Sequence, residues 1–268
     1  MMHSLISWIA VILYALAVLS LVAALQGMVM PRRGERLALF MAVLAVPLHA
    51  AALWQGLWTA AGVNLALYNA LSLLGWIMVT MLLLATLRQP VQSLGLVVFP
   101  FAAISAGLAG ALGTPAPTLV PIGAPVDWHV VSSILAYAVF GLACAQTVLL
   151  AWLDRSLRRR RAGRLIGMLP SLQGMEALLF QMLAAGMVLL SVALITGWLF
   201  VEDLFAQDLA HKTLLSMMAW LVFAALLIGR QRAGWRGRTA IRWSLAGFVL
   251  LALAYFGSKV VLEILLKG

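Results

Sequence analysis

Long apolar runs separated by short basic segments constrain this chain more than any other feature. Each run is close to the roughly 20 residues that cross a hydrocarbon core as an α-helix. Inside lipid only helices and closed barrels satisfy every backbone amide and carbonyl, and the runs lack the period-two alternation of a barrel strand. Of the 268 residues, 65% are hydrophobic and only 10% are charged, too few charges to clothe a water-soluble domain of this length. The sequence predicts an all-α integral membrane protein, a bundle of about eight transmembrane helices. The expected spans are 4–29, 36–54, 66–87, 91–112, 129–152, 176–200, 212–229 and 243–266, in a single transmembrane domain over 1–268. The first run is expected to be a retained span, because residues 1–3 carry no Lys or Arg and the run outlasts a signal-peptide core. Spans three and four are separated only by Leu87-Arg88-Gln89-Pro90, where Pro90 removes an amide donor and disfavours helix before it.

The formal net charge of +10 would point to nucleic acid in a soluble protein, but these arginines sit between apolar runs. Arg32, Arg33 and Arg36 lie in the first loop, and Arg88 in the third. Arg155, Arg158, Arg159, Arg160, Arg161 and Arg164 mark the fifth, and Arg230, Arg232, Arg236, Arg238 and Arg242 the seventh. The even loops hold Asp127, Glu202, Asp203 and Asp208 against Lys212. By the positive-inside rule the odd loops are cytoplasmic and both termini lie outside, as in a multi-pass bacterial inner-membrane protein. The arginine run fixes topology and meets anionic lipid of the bilayer, so no nucleic-acid partner is expected.

With that orientation the histidines gain meaning. His49 falls near the outer end of span two, His129 opens span five, His211 opens span seven, and His3 lies in the external terminus. Imidazole is the commonest metal ligand among side chains. Two imidazoles on facing helices suit the axial positions of a haem iron, whose macrocycle fits an apolar pocket. An interfacial histidine is otherwise an amphipathic anchor, like Trp54, Trp58 and Trp198. Trp128 directly precedes His129, and Lys212 beside His211 is a cation placed to meet a haem propionate. Lys259 and Glu263 are spaced to pair along span eight. The single cysteine, Cys144, sits in an apolar run without a CxxC or CxxCH pattern, which excludes a dithiol carrier or covalent c-type haem. No phosphate loop or HExxH motif occurs.

Several segments resemble a known family. Asp127-Trp128-His129 through Ser132, Ser133 and Tyr137 is similar to a span of the cytochrome c assembly family, which includes the CcsA, ResC and CcmC haem-handling proteins. Thr196-Gly197 through His211-Lys212-Thr213 and Trp220 to Arg230 resembles the family's next two spans and their loop. Tyr255-Phe256-Gly257-Ser258-Lys259 resembles its last-span pattern. The layout is nearest to the small HemX/YpjD-type branch, over roughly residues 35–268. Synthases of the family carry a tryptophan-rich WWD segment where this chain has Val201-Glu202-Asp203-Leu204-Phe205-Ala206-Gln207-Asp208, and a further external histidine that has no counterpart before Gly268.

The resemblance implies a membrane haem-handling protein that assists cytochrome c assembly rather than the haem-attaching enzyme. A haem b would lie near the outer face between spans five and seven. His129 matches a family ligand position and His211 is the second candidate for the iron. His49, Trp128 and Lys212 complete the candidate cofactor-binding set, and cytochrome c maturation components are the expected partners. The competing reading is a cofactor-free accessory or scaffold subunit of a partner complex. A solute transporter would need discontinuous spans with charged residues near the midplane, where the chain offers little beyond the polar Gln181 and the charged Lys259.

Overall fold

In the computed structural model, residues 2–59, 62–112, 119–120, 124–159, 170–200, 210–261 and 263 are described. Among the described residues, eight helices are long and apolar enough to cross a membrane. They are built on α1 (Met2–Gln26), α2 (Pro31–Leu57), α3 (Leu67–Thr86), α4 (Gly95–Leu112), α5 (Ala124–Arg158), α6 (Leu172–Phe200), α7 (Ala210–Ala233) and α8 (Arg238–Ala252), the eighth span running on to Val260. A 3₁₀ turn, Gln92–Leu94, leads into α4, and a π-helical turn, Leu253–Gly257, continues α8 into Ser258–Val260. The break between α3 and α4 falls at Pro90 as expected. Several helices run beyond their apolar cores: α2 begins at Pro31 instead of residue 36, α5 ends at Arg158 instead of 152, and α8 begins at Arg238 instead of 243. Hydropathy marks the hydrocarbon-embedded part, whereas the helix continues as far as its backbone bonds are met, with arginines reaching outward to water.

The contacts divide the chain into two compact units, residues 1–121 with 155–171, and residues 122–154 with 172–268. In the first, α1 presents Ala10, Tyr14, Ala17, Leu21 and Ala24 at alternating spacings of three and four. The α2 stripe is Ala38, Ala42, Ala45 and Ala52. Small side chains let two backbones approach closely where no hydrophobic effect drives helices together. Trp58–Thr59 (β1), Gly62–Asn64 (β2) and Leu119–Val120 (β3) form a short antiparallel ribbon at one end. It pairs Trp58 with Val63 and Val63 with Val120.

The second unit is organised around one aromatic layer to which four helices each contribute. Phe140 of α5 and Phe223 of α7 stack with centroids 4.1 Å apart and planes 11° from parallel. A methyl group on Gly186 of α6 would come within 2.9 Å of the Phe140 ring, and one on Gly247 of α8 within 2.6 Å of Phe223. The rings thus fill the space that two glycines leave, one on each side. Both are buried, with 1% exposure each. This layer makes a measurable demand: Gly247→Ile is expected to lower thermal stability in detergent. Adding Phe223→Ala to that variant should recover part of the loss, since the two positions share one volume; independent, additive losses would contradict the layer.

Candidate functional site

In the second unit the two helix ends differ in chemistry. At one end the arginine-bearing segments are tied together. Arg238 Nε lies 3.7 Å from Asp154 Oδ2, linking the start of α8 to the end of α5. The Gly237 amide donates to Glu176 Oε1 at 2.6 Å, which caps α8 with a carboxylate from α6 where its dipole favours one. Gln146 Nε2 donates to the Met175 carbonyl at 2.9 Å, and Thr147 Oγ1 and Ser244 Oγ lie 3.0 Å apart. The Arg230 guanidinium rests 4.8 Å over the Phe180 ring.

His129 and His211 occupy the opposite end, where α5 and α7 begin and α6 finishes. His129 follows the first helical turn of α5. Its Nδ1 donates to the Ala193 carbonyl of α6 at 2.8 Å. The half-buried ring lies against Gly197, where a methyl group would sit 3.0 Å from Cε1 and 3.1 Å from Nδ1. The bond assigns the proton to Nδ1, so the Nε2 lone pair is the free one, and Nε2 has no protein partner among the described residues. Ser132 Oγ steadies this turn: it lies 2.7 Å from the Trp128 carbonyl and 3.1 Å from the His129 carbonyl and donates to one of them at a time. Tyr137, further along the same motif, donates to the Leu251 carbonyl at 2.7 Å, just before the π-helical turn. Its ring meets Tyr255 and Phe256 edge-on.

His211 is exposed in the first turn of α7, with half-buried Lys212 next to it. α7 packs beside α6, where Trp220 Nε1 donates to Ser191 Oγ at 2.9 Å. The 201–209 segment, which includes the stretch that replaces the WWD pattern, lies outside the described residues. Trp128 is 70% exposed and projects beside the His129 turn. The i,i+4 pair on the last span forms: Lys259 Nζ is 2.9 Å from Glu263 Oε1, buried, with Tyr255 beneath it. Cys144 is half-buried within α5.

His49 belongs to the first unit and has different surroundings. It is 1% exposed. Nδ1 lies 3.2 Å from Tyr14 Oη and Nε2 2.9 Å from Ser72 Oγ, so one ring joins α1, α2 and α3. Tyr14 also stacks on Phe99 of α4. Both nitrogens of His49 are thus occupied, whereas His129 keeps one open. Neither Tyr14 nor Ser72 stood out in the sequence, since a hydroxyl in an apolar run carries no pattern that names its partner.

Among the described residues no three His, Cys, Asp or Glu side chains gather closely enough to hold a metal ion unaided. A haem iron asks less, because four ligands come with the porphyrin and only axial donors come from the chain. An imidazole anchored through Nδ1 with Nε2 open is the donor such an iron requires, so the residues present fit the group.

The family model described as Cytochrome C assembly protein matches residues 64–266. The chain is 32% identical over 249 residues to the inner membrane protein YpjD of Escherichia coli (strain K12), covering 92% of this chain and 94% of YpjD. It is 29% identical over 133 residues to the protein HemX of Brevibacillus brevis, covering 48% of each. It is also 29% identical over 85 residues to the cytochrome c biogenesis protein CcsA of Prochlorococcus marinus (strain NATL1A), covering 31% of this chain and 27% of CcsA. No solved structure matches.

The His49 node is open to test. Replacing His49 with Leu strands two buried hydroxyls and should cost about 1–3 kcal/mol of stability. In a thermal or denaturant unfolding series, Tyr14→Phe should cost much less in the His49→Leu background than in the wild type. Equal losses in both backgrounds would show that the two side chains are not coupled.

Proposed function

We propose that this chain, which belongs to the cytochrome c assembly family, is a multi-pass inner-membrane protein that binds haem b and assists cytochrome c assembly. The observation that carries this reading is the His129 geometry, a ring held through Nδ1 with Nε2 open at the histidine-bearing end of the second unit. His129 and His211 are the side chains that would hold the iron, near the outer face. Lys212 would offset the charge of a propionate, and exposed Trp128 would cover an edge of the macrocycle. Bound haem would supply a redox-active iron. The chain would supply orientation and two imidazoles. His49 is assigned to holding α1, α2 and α3 together, because both its nitrogens already have partners.

The arginine-bearing end would face the cytoplasm and the histidine end the periplasm, by the positive-inside rule. That placement puts both termini outside and suits an exchange of haem with maturation components on the outer face. It is checked by impermeant maleimide labelling in a Cys144→Ala background. Trp58→Cys is expected to react in intact spheroplasts and Arg236→Cys only after lysis; the reverse pattern would invert the protein.

The haem assignment is checked by the optical spectrum of the purified protein after haem reconstitution. A Soret band is expected in the wild type, lost or strongly reduced in His129→Ala and retained in His49→Gln. No band in any form would refute the haem reading, and an undiminished band in His129→Ala would refute the ligand.

A further inference from the structure

The α6 turn beneath His129 carries more than a hydrogen-bond acceptor. Thr196 Oγ1 lies 2.8 Å from the Val192 carbonyl and 3.1 Å from the Ala193 carbonyl. A hydroxyl has one proton, so it serves one acceptor at a time. When it turns to Ala193 it shares the oxygen that His129 Nδ1 uses at 2.8 Å. One residue on, Gly197 leaves the imidazole just the space it occupies, because any β-carbon there would stand 3.0–3.1 Å from two ring atoms. Glycine is a poor helix former, and this one lies within an unbroken helix. Its size, not a turn, therefore accounts for its use here.

We infer that the Ala193–Gly197 turn of α6 is a seat that sets the ring plane, the proton position and the donor strength of His129, with Thr196 and Gly197 as its positioning residues. The inference rests on the haem reading for its purpose, but the seat exists without haem. Hydrogen bonding at the far nitrogen of a ligating imidazole raises the basicity of the near one and stabilises the more oxidised iron. Thr196 moderates that effect by competing for the Ala193 oxygen. Gly197 governs whether the ring reaches the carbonyl at all.

Three substitutions test the seat with readouts that a merely structural role would not move. Gly197→Ala replaces a weak helix former with the strongest one, so a helix-only role predicts equal or higher thermal stability and unchanged haem binding. The seat predicts that stability holds while haem affinity falls about 10–100-fold, the usual cost of disturbing a ligand's outer partner. Thr196→Val removes the competing donor and is expected to shift the haem reduction potential downward, while Thr196→Ser restores it. The haem-free protein is read separately by ¹⁵N NMR of the histidine ring in detergent. The wild type is expected to show the Nδ1–H tautomer at His129, and Gly197→Ala a tautomer mixture. If the NMR signature appears and shifts as stated but no haem binds, the haem reading fails and the seat stands. If Gly197→Ala and Thr196→Val leave affinity, potential and the NMR signature as in the wild type, the seat is overturned.

Discussion

A polar group inside lipid has no water to turn to, and this requirement governs the molecule from its helices down to single side chains. It forces the backbone into helices and then obliges each buried side-chain donor or acceptor to find a neighbour. Among the described residues, no fully buried side-chain nitrogen or oxygen lacks a hydrogen-bond partner. Tyr14, His49 and Ser72 satisfy one another across three helices. Thr147 meets Ser244, and the Lys259 ammonium meets the Glu263 carboxylate. The open Nε2 of His129 stands out against that background, on a ring that is only half-buried and therefore able to keep a lone pair for a ligand.

The same requirement divides the second unit into an end that is closed and an end that is available. Carboxylates of Asp154 and Glu176 hold the start of α8 to its neighbours, so the arginine-bearing end is cross-linked by charge. The glycine-flanked Phe140–Phe223 layer fixes the rotations of α5, α6, α7 and α8 about their own axes. Those rotations decide which side chains face inward one or two turns away. His129 meets Ala193 and Gly197 because α5 and α6 are locked in register there. The site is thus a consequence of the core rather than an addition to it.

The number of spans and the break at Pro90 were legible in the sequence, because hydropathy over twenty residues and a missing amide donor are local signals. The helix ends were not: α5 runs on through Arg155 to Arg158 because the chain can remain helical outside the hydrocarbon. The pairing of Lys259 with Glu263 followed from their spacing on one helix. The surroundings of His49 and His129 could not be read in that way, since both depend on helices distant in sequence. Sequence placed the two residues in one candidate set; in the structure His49 has two hydroxyl partners and His129 one carbonyl. A backbone oxygen such as that of Ala193 leaves no mark in the sequence. The motif Asp127-Trp128-His129 singled out one helix turn, and the hydrogen-bond partner of His129 came from three-dimensional packing.

The central claim is that His129 and His211 together ligate a haem iron at one end of the second unit. Low-temperature electron paramagnetic resonance of the oxidised, haem-loaded protein tests it directly. The account predicts a low-spin signal of the bis-imidazole type in the wild type, converted to a high-spin signal when His211 is replaced by Ala. A wild-type spectrum that is already high-spin, or a low-spin signal indifferent to His211, would contradict it.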